Sequence, residues 1–347
     1  MNERLQLMVH GMLFALGIGW ILYIGKGIFV PIVFSILVAY VIVGLTRLLF
    51  RLPFVGGFLP RQMAYTLAAL MIALAVAVIV SLVATSLAGV IAIAPQYEGA
   101  LLNAIQDIAV RLGFESPTWG TLRQELLAQI DAQRIIGSTV ISASSIVSSV
   151  TIVLLYVAFL LIEQRAFSAK LAHISSDPRH VASIQKVITH INGRIGTYLA
   201  LKTLVSLVQG LISWAILALF GVEFAMFWAV LIGLLNYIPY IGSVLGVVLP
   251  AAFAIVQFAD LNVVLALLLA LSAVQFAIGF FLDPYLMGNS LNLSPFVILV
   301  SLAVWSAIWG IAGAFLAVPI TACIALIFAE FAETRPIAVL LSKNGQL

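Results

Sequence analysis

An all-α, polytopic membrane protein is the fold class that these 347 residues predict. Hydrophobic residues make up 64% of the chain and charged residues 8%, against roughly a quarter charged in soluble domains, and mean hydropathy is +1.22. The apolar residues gather into runs of about the 20 residues that a helix needs to cross a bilayer. Two further runs, 224–258 and 295–332, are longer and are broken in mid-course by proline and glycine. A soluble core of this length could not cover itself with so few charges.

About six spans follow in order. The first, 5–24, is an uncleaved span: no small-x-small cleavage site follows it, but Gly25-Lys26-Gly27 and another apolar run. The second, 28–46, carries Pro31 near its start, where a first-turn proline loses no helix bond. The others are 63–94, 137–162, 196–220 and 261–282. Arg47, Arg51 and Arg61 surround the 47–61 turn, and Arg165, Lys170, Arg179, Lys186, Arg194 and Lys202 lie in 163–202. The 95–136 stretch has more acids than bases. The positive-inside rule then puts 47–61, 163–202 and both termini in the cytoplasm and 95–136 outside.

Two stretches are amphipathic. Leu101, Leu102, Ile105, Ile108, Ala109 and Leu112 recur at helical spacing, as do Val181, Ile184, Val187, Ile188, Ile191 and Ile195. Each reads as a helix lying on the bilayer or a neighbouring protomer, or else as a partner surface. Asp177-Pro178 supplies an N-cap and a first-turn proline for the second. In the first, Gly113 to Gly120 interrupts the pattern before Leu122, Leu126 and Ile130 resume it.

No catalytic motif, nucleotide-binding loop or metal-ligand spacing stands out, so neither an enzyme nor a cofactor is expected. The single cysteine, Cys323, excludes an internal disulfide. A net charge of +3, thinly scattered, gives no reason to expect nucleic acid. The lipid bilayer is the expected partner.

The broken runs carry the function. Hydrocarbon offers no water to backbone groups that a proline or glycine releases, so irregular backbone at that depth must be surrounded by protein or line a wet cavity. In transporters, interrupted helices mark the cargo site. Glu223 and Asp260 bracket the first run, which suggests a hairpin entering and leaving by one face with its fold at Asn236-Tyr-Ile-Pro239-Tyr-Ile-Gly242-Ser243. A single kinked helix is the alternative. The second run breaks at Trp309-Gly310-Ile-Ala-Gly313. Each follows a full span and has a proline in its second arm, Pro250 and Pro319, which suggests an internal repeat of two opposed hairpins; the arms of the first, about 15 residues each, are short for full spans, which supports re-entry.

Asn236 and Ser243 offer neutral hydrogen-bonding groups at one tip, and Pro239, Gly242, Gly310 and Gly313 shape the breaks. Asp283, which precedes Pro284 and Gly288, either binds cargo or a cation, or caps the turn before the proline. Gln209 and Gln275 are cargo contacts or helix–helix glue, and Lys202 either faces the interior or snorkels. Neutral polar groups in this number fit an uncharged, hydroxylated cargo. A cation/proton antiporter using Asp283 is the second reading, and a non-transporting membrane scaffold the third.

At these residues the chain resembles the AI-2E family of bacterial inner-membrane transporters. The resemblance rests on Tyr198-Leu-Ala-Leu-Lys202-Thr203, Asn236-Tyr-Ile-Pro-Tyr-Ile-Gly242-Ser, Asp283-Pro-Tyr-Leu-Met-Gly288 through Leu291-Asn-Leu-Ser-Pro295, and Trp309-Gly-Ile-Ala-Gly313 through Val318-Pro319. It implies export of autoinducer-2, a small furanosyl diol related to dihydroxypentanedione, with homo-oligomeric, pentameric assembly. Sodium/proton antiport, assigned to other members, is the family's other implied activity. The expected division is a scaffold over 1–162, a cytoplasmic amphipathic linker over 163–195 and a transport region over 196–347.

Overall fold

The computed structural model describes residues 3–51, 60–111, 148–163, 177–287 and 291–345, with Ala166 and Lys170. The 52–59 part of the first turn expected in the cytoplasm, the stretch 112–147 with its expected helix break, and Gly288 lie outside the described residues. Among those described, the chain is helical apart from turns and one isolated antiparallel bridge, Leu293 with Ser342.

Helices α1 (Glu3–Ile24) and α2 (Lys26–Arg51) are parted by Gly25 alone. The Gly25 carbonyl accepts the N–H groups of Ile28 at 2.9 Å and Phe29 at 3.0 Å, so α2 begins earlier than the apolar run does. Pro31 therefore sits inside the helix, beyond the first turn that the sequence suggested, and forgoes a bond to the Gly27 carbonyl. Helix α3 (Arg61–Arg111) continues through the third span into the first amphipathic stretch, and α4 (Ser148–Glu163) is the described part of the fourth span. The second amphipathic stripe and the fifth span form one 42-residue helix, α5 (Pro178–Leu219). Along its first part Ile184, Val187, Ile188 and Ile191 are half-buried and Ile195 is buried, whereas Gln185, Lys186 and Thr189 are exposed. The stripe is a packed face.

Both broken runs fold back on themselves. In the first, α6 (Ala225–Leu235) returns as α7 (Ile241–Phe258). The Phe224 and Trp228 rings near its start meet Phe253 near its end, with centroids 6.1 and 5.4 Å apart. The Gln257 carboxamide closes the base, accepting from Glu223 N–H at 2.9 Å and donating to the Gly221 carbonyl at 2.8 Å. A single kinked helix would hold 224 and 253 far apart. After α8 (Leu261–Ala277), a π-turn (Ile278–Leu282) and α9 (Asp283–Met287) comes the second hairpin, α10 (Pro295–Trp309) and α11 (Ile311–Glu330). There Trp305 Nε1 donates to Thr321 Oγ1 across the arms at 3.2 Å. The chain ends with α12 (Arg335–Leu341).

The arms are unequal: 11 and 18 residues in the first hairpin, 15 and 20 in the second. Each returning arm is about as long as a span requires. Six described helices are long and apolar enough to cross a membrane: Lys26–Thr46, Met63–Ser86, Ile184–Leu219, Ile241–Phe258, Leu261–Leu286 and Ile311–Glu330; two of them are returning arms, while the apolar part of the expected first span, Val9–Ile24, and the described part of the fourth, Ser148–Glu163, are shorter. The protein is thus an all-α polytopic membrane protein with two broken helical hairpins.

Packing divides the chain into two compact units, Met1–Ala69 with Val150–Ala200 and Asn289–Leu347, and Leu70–Ser149 with Leu201–Gly288. In the first, α11 forms the core through Ala314, Leu316, Ala317, Val318, Ala322 and Ala325. Trp309 Nε1 donates at 2.9 Å to the carbonyl of Leu22, one of the groups that a helix end leaves without a partner. The tail pairs with the entry to α10, Ser294 N–H to the Leu341 carbonyl at 3.0 Å and Lys343 N–H to the Asn292 carbonyl at 2.8 Å. In the second, Leu217, Phe227, Trp228, Ile232, Val247, Ala254, Leu267 and Leu271 are the buried centre, packed between α5, the first hairpin and α8.

Candidate transport site

The tip of the first hairpin is set by its backbone chemistry. Pro239 has no N–H to continue a helix, and its carbonyl instead accepts the N–H of Ile241 at 2.7 Å. Tyr240 between them has φ 62° and ψ −55°, a γ-turn of the rarer, strained hand. Gly242 then lies so close to α6 that a Cβ would fall on the Leu235 carbonyl oxygen. The second hairpin repeats the device in its own unit. Gly310 has φ 63° and ψ −140°, a region that side chains all but exclude, and a Cβ on Gly313 would fall on the Trp305 carbonyl oxygen. The two breaks are thus alike in backbone construction as well as in rhythm.

Against the first tip stands a polar face of α5. Lys202, Ser206, Gln209 and Ser213 follow one another at helical spacing, and all four are buried. Lys202 Nζ donates to Asp283 Oδ2 at 3.2 Å and to Asn236 Oδ1 at 3.3 Å. Asn236 Nδ2 in turn donates to Ser206 Oγ at 3.0 Å. The Thr203 and Tyr237 hydroxyls share a hydrogen bond of 2.7 Å, and Gln209 Nε2 donates to Gln275 Oε1 at 2.7 Å. Polar groups at membrane depth turn to one another because lipid offers them nothing.

Two glycines bring these helices close enough. A Cβ on Gly233 of α6 would stand 3.0 Å from the Ser206 carbonyl oxygen, and one on Gly210 of α5 would stand 3.2 Å from that of Ala229. Small residues at such a crossing let two backbones touch.

Asp283 owes its place to the π-turn. Its N–H bonds the carbonyl of Ile278, five residues back. Pro284 cannot donate, and in a regular helix its ring would press on the carbonyl four residues earlier; a widened turn relieves that crowding. Asp283 is therefore no cap before a helix end, since the helix continues to Met287. Nor does Lys202 snorkel: its side chain is 8% exposed and that of Asp283 25%. Asp283 Oδ1 and Gln209 Oε1 are buried with no hydrogen-bond partner, so each is an acceptor left open to a donor.

Of the residues singled out from the sequence, the structure gathers Lys202, Asn236, Asp283, Gln209 and Gln275 on one side of α5, with Pro239 and Gly242 shaping the tip above them. Ser243 is exposed and stands outside the set. Gly310 and Gly313 belong to the first unit. Ser206, Thr203 and Tyr237 complete the site without having been expected there. The spacing of 202, 206, 209 and 213 could have disclosed Ser206; nothing in the sequence pairs Gly210 with Gly233.

Known proteins resemble this chain over most of its length. A family model described as AI-2E family transporter matches residues 12–333. The AI-2 transport protein TqsA of Escherichia coli K12 is 30% identical over 322 residues, 91% of this chain and 89% of its own. A proposed transport protein of the same strain, YhhT, is 30% identical over 75% of this chain and 74% of its own length. One from Borreliella burgdorferi is 36% identical over 56% of this chain and 54% of its own. With a match that spans nearly its whole length, including both hairpins and the polar face of α5, the chain belongs to the AI-2E transporter family.

Proposed function

We propose that this transporter exports a small, uncharged, hydroxylated signal, of which autoinducer-2 is the instance offered by the name of its E. coli relative, across a bacterial inner membrane. The observation that carries the reading is the buried cluster beneath the first hairpin tip. Neutral donors and acceptors predominate there, and the open oxygen of Asp283 suits a cargo hydroxyl. The counter-charge of Asp283 is already present in Lys202. A cation at the open Asp283 oxygen would lie close to that ammonium group and be repelled by it, which disfavours the antiporter. A scaffold has no use for a strained turn at depth, which disfavours the third reading.

In this reading both hairpins re-enter the membrane, both termini are cytoplasmic, and the transport region is shared between the two compact units, 201–288 in one and 289–347 with 1–69 in the other. Large apolar side chains exposed on α1 and α3, such as Phe14, Leu16, Leu70 and Leu74, suit contact with lipid and with the other copies of a homo-oligomer, a pentamer by family resemblance. The test is efflux from proteoliposomes, with labelled autoinducer-2 and sodium/proton exchange measured side by side. Autoinducer-2 efflux that falls in Asn236→Leu is the expected result. Sodium-dependent proton flux that vanishes in Asp283→Asn, with no organic solute moved, would overturn the proposal.

A further inference from the structure

We infer that Gln209 and Gln275, beside Gly246, form a second ligand station in the second unit, one that holds a single hydroxyl of a small neutral polyol. The inference builds on the cargo class proposed above but uses none of the residues of the Lys202 cluster. Gln209 lies seven residues beyond Lys202 on the same helix, about 10 Å along the axis. A molecule the size of one furanose ring seated at one place does not fill the other.

The hydrogen-bond arithmetic names the ligand group. Each carboxamide carries one acceptor oxygen and one donor nitrogen. A pair serving only to join two helices can bond twice, nitrogen to oxygen in both directions. Here it bonds once, Gln209 Nε2 to Gln275 Oε1 at 2.7 Å. Gln209 is 1% exposed, and its Oε1 is left buried with no partner, an arrangement that destabilises a protein unless something fills it. Gln275 Nε2 is turned toward Gly246, where a Cβ would stand 2.9 Å from it, and Ile232 walls the same spot, its Cγ atoms 3.6 Å from that position. An anion could use only the free donor and a metal cation only the free acceptor. A hydroxyl uses both, accepting from Gln275 Nε2 while donating to Gln209 Oε1.

Two probes and two variants test this on the full chain in nanodiscs, with binding read by saturation-transfer NMR. The probes are glycerol and autoinducer-2. Gln209→Leu/Gln275→Leu removes both amides together, which leaves no orphaned partner and so preserves the fold. Gly246→Ala pushes on the Gln275 amide and leaves both glutamines in place. The expected result is binding of glycerol and autoinducer-2 to the native chain that weakens about tenfold in the double variant, the scale of one or two neutral hydrogen bonds. Gly246→Ala should weaken it in the same direction, and the melting temperature of the double variant should not fall. Binding of autoinducer-2 that persists undiminished in the double variant would overturn the station and leave the export reading standing. Glycerol binding that the double variant loses, with no autoinducer-2 efflux from the native chain, would support the station and sink the export reading. If neither probe binds the native chain, the station is refuted.

Discussion

Lys202 is the residue on which the site turns. It comes from α5 and holds an acid from α9 and an amide from the hairpin tip, at 3.2 and 3.3 Å. A buried ion pair is weak evidence of stability, because desolvation offsets most of the attraction, but breaking one half of it is severe. Lys202→Met alone should therefore lower unfolding stability by about 3 kcal/mol, and Lys202→Met/Asp283→Leu should recover much of that loss. Denaturant titration of the purified protein in micelles measures both. A single variant no worse than the double would mean that the pair is not sustaining the site. Glycine matters at the same scale. Gly310→Ala forces a side chain into backbone at φ 63°, ψ −140° and should destabilise by about 1–3 kcal/mol. Gly345, also at positive φ but in the C-terminal tail, serves as the comparison, since Gly345→Ala should have the smaller effect in the same assay.

At the scale of elements, two features fix the first hairpin: the γ-turn at Tyr240 and the contact of α5 with α6. The turn stores strain of about 1–3 kcal/mol, and glycine there would relieve it while adding about 0.5–1 kcal/mol of chain entropy to the unfolded state. Tyr240→Gly should thus raise stability by about 1 kcal/mol. If the strained tip positions the cargo, autoinducer-2 efflux should fall in the same variant, and an unchanged efflux rate would argue that strain has no part in transport. The Gly210–Gly233 crossing makes a different prediction. A Cβ at 233 already presses within 3.0 Å of the Ser206 carbonyl, so Gly233→Val has to part the two helices. Overpacking of this kind destabilises by about 1–3 kcal/mol, and it should also separate Asn236 from Ser206, which faster hydrogen exchange at the tip would report.

For the whole molecule the open matter is orientation. Cys323 is the one cysteine of the chain and is half-buried, so a Cys323→Ser background is suited to labelling from either side of the membrane. New cysteines at Ser175 and Gln346 should react only with reagent admitted to the cytoplasmic side, and one at Ser116 only with reagent outside. The reverse pattern would contradict the positive-inside assignment that orients every span. The two compact units each own one hairpin, so the repeat legible in sequence as span followed by broken run is also a repeat of backbone device, glycine against carbonyl in both.

Class, breaks and the spans at 28–46, 63–94, 196–220 and 261–282 were legible in the sequence alone, because in hydrocarbon each is a local matter, whereas the length of the returning arms Ile241–Phe258 and Ile311–Glu330 was not. Run length decides what can cross, and Pro239, Gly242, Gly310 and Gly313 announce where a helix cannot continue unaided. The stripe at 181–195 was legible for the same reason, although its fusion with the next span into one helix was not. Partnership was decided only by tertiary structure. Lys202 and Asp283 lie 81 residues apart in sequence, Gln209 and Gln275 66, and Asn236 and Ser206 30. Which of these groups meet depends on the axial register between helices, and that register is set by close contacts such as Gly210 with Gly233 and by a π-turn that rotates Asp283 toward α5. Neither periodicity nor composition records a contact of that kind, because both are properties of one helix and the site is a property of four.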